Sequence, residues 1–263
     1  MAALDDVAFL ARSPSRVAVL ETLTEGAHSR AALQEVTGVP RATVGRIVTE
    51  LEARGLVTRR GADYRASPLG ELLAREFLSL VDTAVTVDKL RRVSEWLPIE
   101  AFEFDLDRLV DAEITLADRT DIIAPIRRAV ELFETGDRVR ILAPVFVRES
   151  PRAIWQATVH GDQTSEITVT AAVLEVMLAD PECAMWLREL AASDRGSVAR
   201  YDGSISYALA VVDDIAWIGL LDEDGAPRGL LETTDEIVHA WAEATIDDHW
   251  QASNPLEPDD PQL

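Results

Sequence analysis

Apolar side chains recur at helical spacing through the first hundred residues, with one break to an alternating pattern. After Ser13-Pro14, a side-chain acceptor followed by a pre-set first helical residue, come Arg16, Val17, Val19, Leu20 and Leu23, and Gly26 suits a left-handed stop. That predicts a helix of about three turns. Ser29 opens a second, short helix with Leu33 and Val36 inward and Gly38 at its end. A third begins near Pro40 and sets Val44, Ile47, Val48 and Leu51 at i, i+3, i+4 and i+7, one buried stripe, before Gly55. From Leu56 the period becomes extended: LVTRR, a Gly-Ala-Asp turn and YRAS predict a hairpin with a three-residue turn. Ser67-Pro68 then starts a long helix, from Leu69 to about Trp96, with Pro98 as its stop. Along it Leu73, Phe77, Leu80, Ala84 and Val87 alternate steps of four and three, the spacing of a coiled-coil seam, which predicts pairing with a second copy.

Beyond Pro98 the pattern alternates between strand and helix. EFDLDRLVDAEITLAD predicts a short strand within a linker, 121–135 a helix, VRILAPVFV a strand, SPRAIWQATVHG a helix and SEITVT a strand. One helical stretch, AAVLEVMLADPECAMWLRELAAS, precedes short strands in SVARYDG, ISYALAVVDD and IAWIGLLD, the last two joined by a turn at Asp213-Asp214. A closing helix covers 236–250. Strands alternating with helices predict an α/β layered domain, so the chain as a whole is expected to be α/β. The expected organisation is 1–70, a mostly α module with a β-hairpin; 71–98, a connecting and dimerisation helix; 99–250, the α/β domain; and 251–263, a polar, proline-rich tail expected to be disordered.

Charge changes this picture. The 263 residues carry a formal net charge of -22, yet residues 1–70 hold nine arginines against eight acids, a net +1 that leaves -23 for the rest. A chain that acidic repels a polyanion, so its one near-neutral module calls for a reason. Lys89 is the only lysine. Excess carboxylate with arginine in place of lysine resembles proteins of salt-loving organisms.

The near-neutral module has the layout of a winged DNA reader, because a recognition helix buries one face and offers short or forked donors on the other. With Val44, Ile47, Val48 and Leu51 inward, Arg41, Ala42, Thr43, Gly45, Arg46 and Thr49 face outward. Arg41 and Arg46 can fork onto guanine, Thr43 can hydrogen-bond or touch a thymine methyl, and Ala42 and Gly45 allow close approach. Arg59, Arg60 and Arg65 on the hairpin suit phosphates or a minor groove, and Ser29 and Arg30 suit a phosphate at a helix N-terminus. Against this stands the ordinary fate of exposed arginines, which is to be solvated.

Other chemistry is sparse. Cys183 is the only cysteine, His160 with Asp162 and His239 with His249 bring no third ligand, and no metal or cofactor is expected. No phosphate loop, dinucleotide fingerprint or nucleophile elbow occurs, so no enzyme is expected. No run of about eighteen apolar residues exists and MAALDDVAF lacks the pattern of a signal peptide, which predicts no membrane contact and a cytoplasmic place. Trp155, Trp186, Tyr201, Tyr207 and Trp217 with Arg140 and His160 are conceivable linings of a small-molecule pocket, though each alone fits a core or rim equally well.

SRAALQEVTGVPRATVGRIVTELEARGLV followed by TRRGADYRASPLG resembles the winged helix-turn-helix of archaeal regulators in the broad MarR and ArsR group, over about the first eighty residues. VRILAPVF, YALAVVDDIAWIGLLDEDGAPRGLLET and DEIVHAWAEATIDDHW resemble the effector domain of haloarchaeal and methanogen regulators, the methanogenesis-regulator middle-domain family related to the sugar-responsive TrmB regulators. The resemblance implies a degenerate phospholipase D-like fold; the HxK pair of that catalytic family cannot occur after Lys89. Two functions follow as expectations. One is a dimeric, sequence-specific regulator that binds a double-stranded DNA operator and whose acidic domain senses a small molecule or mediates assembly. The other is a winged-helix interaction module fused to an α/β domain that binds or converts a small molecule.

Overall fold

The computed structural model describes residues 2–258 and Asp260. The chain forms two compact units that divide between Val85 and Thr86, inside a long helix.

The first unit runs α1 (Ala2–Ala11), α2 (Pro14–Glu25), β1 (His28–Ser29), α3 (Arg30–Thr37), α4 (Arg41–Ala53), β2 (Val57–Arg60), β3 (Asp63–Ala66) and the start of α5 (Pro68–Arg91). Its core joins Leu20, Leu23, Leu33 and the α4 stripe Val44, Ile47, Val48 and Leu51 to Tyr64 on β3. The hairpin turn is two residues rather than three: Arg60 pairs with Asp63, and Gly61 supplies the positive φ of 64° that the reversal needs. Gly26 is extended, with φ 175°, so the chain leaves α2 directly into β1 and not through a left-handed cap. Val36 is 61% exposed, because the inward face of α3 passes from Leu33 to half-buried Thr37. Two elements were not anticipated. In α1, Phe9 and Leu10 are buried, and the Arg16 and Arg54 guanidiniums lie 4.0 and 4.1 Å from the Phe9 ring centre. In β1, two residues pair with Tyr64 and Asp63 and make the hairpin a three-stranded sheet.

The helix α5 begins on this core. Ser67 Oγ accepts from Gly70 N at 3.0 Å and donates to the Gly55 carbonyl, tying the helix start to the end of α4. Gly70 is packed so tightly that a Cβ there would sit 1.9 Å from the Leu56 carbonyl oxygen. This contact corrects the expected seam: Phe77 is buried and Leu73 half-buried against the unit's own core, while Leu80, Ala84 and Val87 are exposed. The helix also ends at Arg91, short of Trp96, with the following residues in turns.

The second unit is a layered α/β domain. Its elements after α5 are β4 (Glu113–Leu116), α6 (Ala124–Thr135), β5 (Arg138–Ala143), α7 (Glu149–Val159), β6 (Thr164–Thr170), α8 (Ala171–Ala179), α9 (Pro181–Ala192), β7 (Gly196–Tyr201), β8 (Ala208–Val212), β9 (Ile215–Leu221), β10 (Pro227–Thr233), α10 (Glu236–Gln251) and β11 (Asn254–Pro255). The eight strands lie in the order β11-β7-β6-β5-β8-β9-β10-β4. The β5, β6 and β7 ladders are parallel and the remaining pairs antiparallel. Strand alternation then builds two cores. Val139, Ile141, Ile167, Val169 and Trp217 meet α6 to α9, whereas Leu142, Leu209, Ile218 and Leu220 meet Val238, Trp241 and Ile246 of α10. The predicted single helix of 171–193 is two, because Pro181 cannot continue a helix and Asp180 caps the new one by accepting from Glu182 N and Cys183 N. The tail expected to be disordered is in part a strand: Asn254 and Pro255 pair with Arg200 and Ala199, and Leu256 is buried, so apolar burial and ladder bonds hold it. Residues 259 and 261–263 of that tail lie outside the described residues.

Lys89 Nζ donates to the carbonyls of Leu109, Val110 and Ala112 at 3.5, 2.5 and 2.7 Å. The only lysine of the chain therefore pins the connection ahead of β4 to α5.

Candidate functional site

In the first unit the outward face of α4 carries Arg41, Ala42, Arg46 and Thr49, all exposed, with Thr43 half-buried. Glu50, in the last turn of the helix, is held between Arg16 at 3.1 Å and Arg46 at 3.1 Å. Its charge is thus matched on both sides. Arg41 has no ion pair or hydrogen bond to its side chain among the described residues, so its guanidinium is free to bind outside the chain. Thr49 Oγ1 donates to the Gly45 carbonyl at 2.9 Å, turning its hydroxyl back onto the helix.

The helix α3 is capped by Ser29, whose Oγ accepts from Ala32 N at 3.2 Å. Arg30 does not extend to solvent as expected. Its guanidinium lies 5.4 Å from the Tyr64 ring centre and 3.7 Å from where a Cβ of Gly45 would be, so it fills the angle between α3, α4 and β3. Its Nε is buried without a hydrogen-bond partner among the described residues. The sequence offered no sign of this, since Arg30 and Gly45 meet only through tertiary packing. On the hairpin, Arg59 Nε donates to the Gly61 carbonyl at 2.9 Å and its guanidinium lies 5.6 Å from Tyr64. Arg65 sits 3.8 Å from Glu71, an exposed pair of little strength. Arg60, like Arg41, has no side-chain partner among the described residues.

In the second unit the pocket residues read from the sequence divide: Trp186 and Trp217 border one cavity, and the others are engaged elsewhere. Tyr201 faces His249 at 5.1 Å and Tyr207 stacks with Trp241 at 6.3 Å. Trp155 packs on Trp186 and His160 and donates its Nε1–H to Glu189. Arg140, buried beneath α10, is bound by Glu166, Glu243 and Asp247, the last at 2.6 Å. Burial alone would lower the Arg140 pKa, but the hydrogen bonds it donates to Glu243, Glu166 and Asp247 outweigh it and the net shift is upward. Glu243 is likewise disfavoured by burial, yet its bonds to Arg138 and Arg140 bring its pKa below the ordinary value. This is an internal crosslink that ties β5 and β6 to α10. Among the described residues no three His, Cys, Asp or Glu side chains converge as metal ligands, and no helix is long and apolar enough to cross a membrane.

Trp186 and Trp217 line a cavity of about 80 Å³ between the sheet and α7, α8 and α9. A second chamber of about 50 Å³ shares Val145, Val147, Ser150, Ala208 and Trp217 with it and extends toward α6. Ala143 ends β5 and Val169 lies at the end of β6, so the cavity sits at the carboxyl ends of the parallel strands, the usual ligand position of open α/β sheets. Trp217 is 7% exposed and packs 5.9 Å from Phe133, and its Nε1–H has no acceptor among the described residues. A buried donor left unmet costs about 1–3 kcal/mol. The apolar lining was invisible in the sequence because it has the composition of a core.

Residues 4–89 match the family model of the HVO_A0261 N-terminal domain, and residues 122–252 match that of the methanogenesis regulatory protein FilR1, middle domain. A curated relative, the HTH-type transcriptional regulator Rv1719 of Mycobacterium tuberculosis, is 34% identical over 117 residues, 43% of this chain and 40% of that protein. The chain thus spans well under half the length of the curated relative it matches. Two solved structures show a partial likeness. TrmBL2, described as an archaeal chromatin protein with a novel mode of DNA binding, is 14% identical with a TM-score of 0.43, over 97% of this chain and 100% of the other. NucT from Helicobacter pylori is 13% identical with a TM-score of 0.43, over 55% of this chain and 98% of the other.

Proposed function

We propose that this chain, which belongs to the transcriptional regulators joining an HVO_A0261 N-terminal domain to a FilR1 middle domain, binds an operator in double-stranded DNA through α4 and the hairpin. In this reading the first unit is a winged helix-turn-helix, with α4 in the major groove and the β2-β3 hairpin as the wing. The observation that carries it is the outward face of α4: Arg41 has no side-chain partner among the described residues, Arg46 is exposed, and Glu50 in the last turn is matched by two arginines. A helix face that merely continued the acidic surface of a chain of net charge -22 would have no need of that arrangement, which favours DNA over a protein-interaction module.

Arg41 and Arg46 read base edges with Thr43 beside them, and Arg60, Arg59 and Arg65 hold phosphates. Ser29 and Arg30 shape the start of α3, and Thr49 turns its hydroxyl back onto the α4 backbone. The operator is bound by a homodimer paired through α5, where Leu69, Leu72 and Leu80 are 67%, 50% and 55% exposed. The second unit is a degenerate phospholipase D-like effector domain in which Lys89 is a structural anchor. A small molecule held in it shifts the population of DNA-competent dimers.

Fluorescence anisotropy on labelled DNA from the gene's own upstream region tests the interface. Arg41→Ala with Arg46→Ala is expected to weaken specific binding by about 10- to 100-fold or more, since each bidentate base contact contributes about 1–3 kcal/mol of discrimination. Unchanged affinity in the double variant removes α4 as the reading helix.

A further inference from the structure

The cavity beneath Trp186 and Trp217 has a chemical character that narrows what it can hold. Its two chambers meet at Ser150, Ala208 and Trp217, and the only polar side chains among their lining residues besides the two tryptophans belong to Ser150. Among the described residues no charged side chain lines either chamber. A carboxylate, phosphate or ammonium entering it would lose its hydration with no counter-charge to meet it. The ligand is therefore neutral. Its size is bounded by the two volumes, about 80 and 50 Å³: together they fall a little short of the roughly 150 Å³ cavity that takes one benzene ring, so the body is at most a single ring, with any substituent reaching the open mouth.

One polar feature gives direction. The Trp217 indole borders both chambers, is 7% exposed and carries an N–H with no acceptor among the described residues. A methyl on Gly219 would come within 2.8 Å of the Ala208 Cβ and 3.1 Å of the Trp217 ring, so glycine there leaves the indole its place at the junction. Donor and apolar walls together specify an aromatic or compact alicyclic body with one neutral oxygen acceptor.

We propose that the second unit binds a small neutral ligand of this class, one ring bearing a carbonyl or ether oxygen, with the ring among the side chains beneath β5 and β6 and the oxygen accepting from Trp217 Nε1–H. The assignment rests on the effector role given above to this unit, and names its ligand chemistry. Binding at the junction of α6, α7 and the loop 144–148 couples the helical layer to occupancy.

The test uses the full chain labelled with nitrogen-15, whose six tryptophans give resolved indole N–H signals. Acetophenone is titrated in parallel with ethylbenzene, which lacks the acceptor, and benzoate, which adds a charge. The Trp217 signal, identified by its loss in Trp217→Phe, is expected to shift saturably with acetophenone. Ethylbenzene is expected to bind about tenfold more weakly, the value of one hydrogen bond to an otherwise unmet donor, and benzoate more weakly still. Trp217→Phe should bind acetophenone and ethylbenzene equally, and Ala143→Leu, at the half-exposed mouth, should exclude both while keeping the other indole signals in place. No shift of the Trp217 signal with acetophenone at millimolar concentration, or tighter binding of benzoate, overturns the proposal. Anisotropy on operator DNA is measured separately: ligand binding that leaves operator affinity unchanged upholds the ligand class and removes the effector role, whereas loss of the Trp217 response leaves DNA reading untouched.

Discussion

Arginine is put to opposite uses in the two units. Around α4 and the hairpin, Arg41 and Arg60 have no side-chain partner among the described residues and Arg46 keeps an exposed one, so positive charge is presented outward. Beneath α10, Arg140 is buried at 6% exposure among Glu166, Glu243 and Asp247, and Arg138 shares Glu243 with it. Residue type alone thus says nothing about the role of a charge. What separates the roles is the balance of nearby carboxylates, and the chain spends its excess of acid almost entirely outside the first seventy residues.

The contrast breaks most readily at its buried end. Arg140→Met leaves three carboxylates facing one another and is expected to destabilise the second unit by roughly 3–5 kcal/mol, the usual cost of removing one partner from a buried ion pair. For a unit of this size that lowers its Tm by on the order of 10 °C in calorimetry at neutral pH. The sign with pH follows from Glu243. Its folded pKa lies below its ordinary value of 4.5, so its contribution is present above that value and lost as pH falls through the lowered one. The gap between wild type and variant should accordingly narrow below about pH 4.5; a gap constant down to pH 3 would show that packing, not charge, is at stake.

The first unit is more easily broken by volume than by charge. Gly70→Ala places a methyl 1.9 Å from the Leu56 carbonyl and is expected to cost about 1–3 kcal/mol or more, seen as an earlier unfolding transition of the first unit. A silent substitution would mean that α5 can rise off the hairpin.

The smallest effect is the most discriminating. A Cβ on Gly45 meets only the Arg30 guanidinium, at an ordinary 3.7 Å, so Gly45→Ala should stabilise α4 by about 0.5–1 kcal/mol. If α4 enters a groove along this face, the same substitution should lower DNA affinity while raising the unfolding midpoint. Both quantities rising together would place the groove-facing side elsewhere on the helix.

Much of this was legible in the sequence, and the boundary of legibility has a physical cause. The stripe Val44, Ile47, Val48 and Leu51, the cap at Ser29, the stop at Gly38 and the turn at Asp213 depend on neighbours a few residues away, and all are found where the pattern put them. Features that depend on distant partners were hidden. Phe77 fits a coiled-coil seam as well as a core, and only the close approach at Gly70 decides for the core. The packing of Arg30 on Gly45 and Tyr64, the strand at Asn254 and Pro255, and the contact of Phe9 with Arg54 all join residues far apart in the chain. The cavity was least legible, because an apolar pocket is written in the same letters as a core; the unmet Trp217 donor is what tells them apart.

Lys89 gives the chain a chemical economy of its own. Enzymes that acylate, methylate or conjugate lysine side chains find a single address within these residues, and its ammonium already donates to three carbonyls. Acylation there removes the charge and donors that pin residues 109–112 to α5, so the mark would act first as a change of fold stability and only then as a signal.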